Sequence, residues 1–123
     1  MLTVGELDQF VAHQDQLNDD NQGPVVLVNI FHVTPEQGDN LVRVWGNILR
    51  TFKSQPGFIS AQFHRGTAGS GTFLNYAVWE STANYRAAYE NPAFRQRLSA
   101  YPDGTVATPH LFRKVAIDKV CVA

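Results

Sequence analysis

The feature that most constrains this chain is the stretch 73–95, FLNYAVWESTANYRAAYENPAFR, in which a strand runs directly into a helix. In a strand, alternate side chains share a face, so Phe73, Asn75, Ala77 and Trp79 point one way and Leu74, Tyr76, Val78 and Glu80 the other. Both sets are largely apolar, which predicts burial on both sides of the sheet. An amide and an indole N–H then face the same interior. A buried amide without a partner costs about 1–3 kcal/mol, so Asn75 needs a partner in the protein or on a ligand. Trp79 alone would read as a core aromatic.

The rest of the chain is organised around this unit. The run VVLVNIF predicts a strand over 25–33, with Asn29 and His32 on opposite faces. Thr34-Pro35-Glu36-Gln37 is a helix start, with Thr34 as cap, Pro35 at the first helical position and Gln37 reaching back. The stripe Leu41, Val44, Trp45, Ile48, Leu49 and Phe52 predicts a helix packed on a sheet, ended by Pro56-Gly57. Strands follow over Phe58–Arg65 and 72–80. The glycines at 66, 69 and 71 between them suit a hairpin, because phosphate-cradling loops lead from a strand into a helix. Ser81 or Thr82 caps the next helix, Asn91-Pro92 interrupts it, and a second piece carries Phe94 and Leu98. A last extended segment is expected over 108–117. Residues 1–24 form an appendage to the domain at 25–123. Thr3 and Glu6 fit a capping box, and Val4, Leu7, Phe10 and Val11 suit a short amphipathic helix, which the polar linker LNDDNQGP joins to the body.

The order βαββαβ is the ferredoxin-like α+β plan, a four-stranded antiparallel sheet with two helices on one face. The uncovered face would expose Val28, Ile30, Tyr76 and Val78. A homodimer in which two sheets stack into a closed αβ-barrel removes that patch from water. The ligand pocket is then expected within each protomer, between helices and sheet.

At 123 residues the chain is long enough for one domain with a sizeable core. A formal charge of −1 leaves no footprint for nucleic acid or an anionic membrane. No apolar run reaches transmembrane length, and the acids in MLTVGELDQF do not suit a signal peptide, so a cytoplasmic protein is expected. The single cysteine, Cys121, forms no intramolecular disulfide. His13, His32, His64 and His110 show no metal-ligand spacing, and nucleotide-binding fingerprints are missing. The expected partner is a small molecule or a second copy of the chain.

PGFISAQFHRG, NYAVWES and the following helix, in this strand order, resemble the antibiotic biosynthesis monooxygenase family of dimeric αβ-barrels over 25–117. Within it the likeness is to cofactor-free enzymes that oxidise dihydroxyanthrone-type polyketides to quinones with O₂. The resemblance implies catalytic roles for Asn75, Trp79, Tyr85 and Arg95 and substrate contacts at His64, Asn29 and Phe31, with no metal and no cofactor. Asn75 and Trp79 would donate to an oxygen that gains charge as the substrate is deprotonated. Tyr85, its anion favoured by Arg95, would move the proton. Heme-degrading relatives share the types at Asn29 and Trp79 but need an axial histidine on the second helix, and 82–101 contains none. Two other readings fit the same fold, a non-catalytic barrel that binds a small aromatic and a cofactor-free cyclase or isomerase.

Overall fold

The computed structural model describes residues 2–20 and 22–122; Asn21, inside the expected linker, and the terminal Met1 and Ala123 lie outside it. The elements are β1 (Thr3–Val4), α1 (His13–Gln16), β2 (Val25–His32), α2 (Gly38–Lys53), β3 (Phe58–Arg65), β4 (Thr72–Trp79), α3 (Thr82–Tyr89), α4 (Pro92–Arg95) and β5 (Val106–Phe112). They build one sheet in the order β1-β5-β2-β4-β3. The four long strands pair antiparallel, as the ferredoxin-like plan requires. The short β1 joins β5 in parallel, so the sheet has five strands and is mixed where four antiparallel strands were expected.

Register sets the two faces. Across β2 and β4, Val25 stands opposite Trp79, Leu27 opposite Ala77, Asn29 opposite Asn75 and Phe31 opposite Phe73, while Phe63 of β3 stands on the other side of Asn75. Directly opposed residues share a face, and this one is covered by the helices. Helix α2 buries Leu41, Val44 and Ile48, and α3 buries Thr82, Tyr85 and Ala88, each set at the spacing of one helical stripe. The other face carries Val28, Ile30, Tyr76 and Val78, all half-buried.

Local chemistry explains the boundaries. The Ser81 side chain accepts from the Asn84 N–H to start α3, and the Asn91 side chain accepts from the Ala93 N–H to start α4, with Pro92 at its first position. Thr34 makes no side-chain cap; Pro35–Gln37 form a single 3₁₀ turn before α2. In the hairpin between β3 and β4, Ala68 and Gly69 both have positive φ, the backbone a tight hairpin turn needs.

Two expectations are corrected. Thr3 and Val4 are extended and do not begin a helix: the Thr3 N–H donates to Thr105 O at 2.9 Å and the Gly5 N–H to Ala107 O at 2.8 Å. The apolar stripe proposed for that helix meets no core, and Phe10 stays 84% exposed. Pairing with the edge of β5 satisfies backbone groups that a short helix would leave open. The helix comes later, at His13–Gln16, and is anchored through Gln16. Its amide donates to Leu111 O at 3.0 Å and accepts from the Leu111 N–H at 2.9 Å, continuing the edge pairing with a side chain. The final strand starts at Val106 and ends at Phe112, not at 117, because Phe112 pairs with Val26 near the start of β2 and no strand continues beyond. Pro109 is tolerated in β5 because odd-numbered residues there turn their backbone groups away from β2, so its missing N–H removes no bond from the ladder.

Among the described residues no helix is long and apolar enough to cross a membrane.

Candidate active site

A cleft lies between the helix-covered face of the sheet and α2, α3 and α4. Two hollows share Leu27, Trp45, Phe52, Asn75 and Tyr85 as walls. One extends toward Trp79, Phe58 and Ala61, and the other toward Asn29, Phe31, Tyr89, Phe94 and Tyr101. The second encloses a cavity of about 40 Å³, well below the few hundred Å³ of a small-molecule site, so a ring-sized guest needs its walls to move apart. The walls are aromatic and interlocked. Trp45 stacks on Phe63 with centroids 4.3 Å apart, Phe31 on Tyr101 at 5.7 Å, and Phe52 meets Trp79 edge-on at 5.9 Å. These packed rings leave a narrow, flat-walled slot between sheet and helices.

Few polar atoms reach this slot, and three of them are stranded. Asn29 Oδ1, Asn75 Oδ1 and Trp79 Nε1 are buried with no hydrogen-bond partner. Such groups cost stability unless something satisfies them. The strand pairing makes Asn29 and Asn75 neighbours, and Trp79 enters from the same strand face two alternations further along. This is the polar content that a bound oxygen-bearing ring would meet.

Tyr85, 1% exposed, borders both hollows, and its hydroxyl lies 2.9 Å from His13 Nε2. Burial raises the Tyr85 phenol well above its ordinary pKa, and Tyr89 adds to the rise. Arg95 pulls in the opposite direction but is outweighed. Arg95 favours the Tyr85 anion, as expected, but burial outweighs it and the hydroxyl is held protonated by its apolar surroundings. The Arg95 guanidinium lies over the Tyr89 ring, 4.4 Å from its centroid, and borders an outer hollow with Asn29 and Phe31. It sits at the mouth of the cleft.

The structure thus brings Asn29, Phe31, Asn75, Trp79 and Tyr85 to the cleft and Arg95 to its rim. It does not bring His64. That residue pairs with Leu74, so its side chain is on the opposite face of the sheet, exposed, with Nδ1 3.4 Å from Leu74 O. The residue that sequence reasoning missed is His13, 3% exposed, whose pKa falls to about 4 chiefly through burial. One signal was available: a histidine four residues before Leu17, the helical spacing that puts both on one face, and both are buried. Among the described residues no group of three or more His, Cys, Asp or Glu side chains is placed to hold a metal ion.

The four antiparallel strands with helices on one face make this an α+β protein of the ferredoxin-like class, with an aromatic-walled cleft between sheet and helices. Residues 24–97 match the model of the antibiotic biosynthesis monooxygenase family, and the chain belongs to that family. It is 41% identical over 70 residues to the tetracenomycin-F1 monooxygenase of Streptomyces glaucescens, covering 54% of this chain and 59% of that one. The chain thus spans about three fifths of that relative's length. Among solved structures it is similar to SnoaB, a cofactor-independent oxygenase from Streptomyces nogalater (TM-score 0.67, 24% identity, 79% of this chain and 98% of that one). A proposed monooxygenase from Shewanella loihica gives a TM-score of 0.68 at 26% identity, over 79% of this chain and 99% of that one.

Proposed function

We propose that this protein is a cofactor-independent monooxygenase that oxidises a planar anthrone- or hydroquinone-type substrate to a quinone with O₂. The observation that carries this reading is the set of stranded polar atoms, at Asn29, Asn75 and Trp79, facing an aromatic slot. The named activity of the Streptomyces glaucescens relative supports it. The finer likeness is to the actinorhodin-pathway enzyme, through His64, Asn75, Trp79, Tyr85 and Arg95, of which His64 lies outside the cleft.

Triplet O₂ reacts slowly with closed-shell molecules, but an electron-rich carbanion can give it an electron, so the substrate itself supplies the reducing power. The protein's task is to make and hold that anion. Trp79 Nε1 and the Asn75 amide, turned with its NH₂ toward the guest, donate to the oxygen on which charge develops. Asn29 and Phe31 position the ring, and Arg95 at the rim attracts an anionic substituent. Oxygen adds at the carbanion carbon, the peroxide is protonated, and loss of water leaves the new carbonyl. The half-buried outer sheet face, with Val28, Ile30, Tyr76 and Val78, is the surface through which two copies form the homodimer.

Oxygen uptake by chelator-treated protein over a panel of anthrones and hydroquinones tests the reading. One O₂ consumed per quinone formed, undiminished by chelation, is the expected result. Turnover without oxygen would instead identify a cyclase or isomerase, and saturable binding without turnover a binding protein.

A further inference from the structure

The cleft needs a base and does not contain one. The residues that wall its two hollows include no carboxylate, lysine or histidine, only amides, aromatic rings and aliphatic groups. Tyr85 is the one hydroxyl there that is joined to a basic nitrogen, His13 Nε2 at 2.9 Å. A phenol this deeply buried does not persist as an anion, so it can take a proton from a guest only while giving its own away.

His13 is placed to receive it. Its backbone N–H donates to Glu6 Oε1 at 2.8 Å, and Gln16, one helical turn on, is fixed to both backbone groups of Leu111. The ring is packed edge-on against Tyr85 and Tyr89, with centroids 5.8 and 5.0 Å away. These contacts hold the imidazole against the phenol, and His13 itself walls neither hollow. The charged and titratable groups around it are Glu6 from the N-terminal segment, Tyr85 and Tyr89 from α3, Arg95 from α4 and His110 from β5. Burial, Arg95 and His110 lower its pKa and Glu6 raises it, with burial the largest effect, so it is neutral at physiological pH with its lone pair available, and the same burial makes the imidazolium short-lived, ready to give the proton back.

We propose that His13 is the proton acceptor behind Tyr85, supplied to the active site by the N-terminal segment outside the family match at 24–97. This rests on the monooxygenase reading above. The substrate's C–H or O–H bond breaks as its proton passes to the Tyr85 oxygen, and the former Tyr85 proton passes to His13 Nε2. The products are a substrate anion in the cleft and an imidazolium behind it, with net charge unchanged. The anion reduces O₂ and becomes a peroxide anion. The same proton then returns through Tyr85 to the peroxide, which loses water to leave the quinone and neutral His13. His13 touches no substrate and acts through Tyr85, so it is a positioning residue.

Anaerobic mixing with anthrone separates this step from oxygen chemistry, because the enolate absorbs at longer wavelength than the ketone. Wild-type protein is expected to form the enolate at pH 7. His13→Gln, which keeps an acceptor that cannot be protonated, and His13→Phe, which keeps the ring shape, should bind anthrone with unchanged affinity. Both should form enolate on the order of 100-fold more slowly. In His13→Gly, added imidazoles should restore the rate in proportion to their basicity. If wild-type protein binds anthrone but forms no enolate, the monooxygenase reading fails and this proposal with it. If wild-type protein forms enolate and both His13→Gln and His13→Phe match its rate, the reading stands and the relay is overturned. Slowed variants that track only a loss of melting temperature, with no response to imidazoles, would show His13 to be a structural pin and would overturn the relay as well.

Discussion

Asn29 and Asn75 stand directly opposite one another on β2 and β4, and the side-chain oxygen of each is buried without a hydrogen-bond partner. Two adjacent stranded acceptors are costly in a core, and a shape-matched apolar residue would remove the cost. Asn29→Leu is therefore expected to raise stability by about 1 kcal/mol in urea unfolding while weakening substrate binding. A loss of stability instead would mean that the amide is satisfied in solution and that the cleft has no stranded acceptor at this place.

Trp79 is 2% exposed, and its Nε1 has no partner. Trp79→Phe removes the donor and keeps an aromatic wall, and Asn75→Ala removes the amide. Interactions that strengthen in the transition state act on kcat, so each variant is expected to lose on the order of 10- to 1000-fold in kcat. The stability cost of Trp79→Phe should stay below about 2 kcal/mol, because the lost ring volume is partly offset by deleting an unsatisfied group. A variant that melts earlier yet keeps its kcat would return Trp79 to an ordinary core role.

The burial of His13 makes stability depend on pH. Its pKa is lowered from 6.5 to about 4 in the folded chain. Between those values the unfolded chain binds a proton that the folded chain does not. The stabilisation is fully present above pH 6.5 and is lost as pH falls toward 4. Each pKa unit corresponds to about 1.4 kcal/mol, so the effect reaches at most about 3.5 kcal/mol. Urea midpoints measured from pH 7.5 to 4 should show this fall in wild-type protein and a smaller one in His13→Phe. Equal slopes would remove His13 as the cause.

Val78 lies on the outer face opposite Val26 and is half-buried in the protomer. Val78→Lys would place a charge in a sheet-to-sheet contact, at a cost of several kcal/mol. Sedimentation at micromolar concentration should give a dimer for wild-type protein and a monomer for the variant. A monomeric wild-type protein would dismiss the stacked-sheet arrangement.

Alternation along β4 was enough to place Asn75 and Trp79 on one face, and the caps at Ser81 and Asn91 are legible because each side chain bonds to a nearby backbone N–H. What stayed hidden depends on distance along the chain. Nothing local shows that Thr3 will pair beside Thr105 or that His13 will meet Tyr85, 72 positions away. The N-terminal apolar spacing misled because periodicity describes how a segment would coil, whereas an open strand edge elsewhere decided what it paired with. His64 was misplaced by the family likeness, since its parity with Leu74 puts it on the outer face.

An open sheet has two edges, and each is a template on which another chain could add a strand. Along β5 that template is used up: β1 occupies it at 106–107, Pro109 offers no donor and Gln16 occupies Leu111. Along β3 the register shifts between Phe58 and Ser60, which breaks the regular spacing an incoming strand needs. Growth by strand addition is thus blocked along β5 and disrupted at the start of β3. Two copies can still meet through their faces. Such a contact is complete with a single partner, so assembly would stop at two.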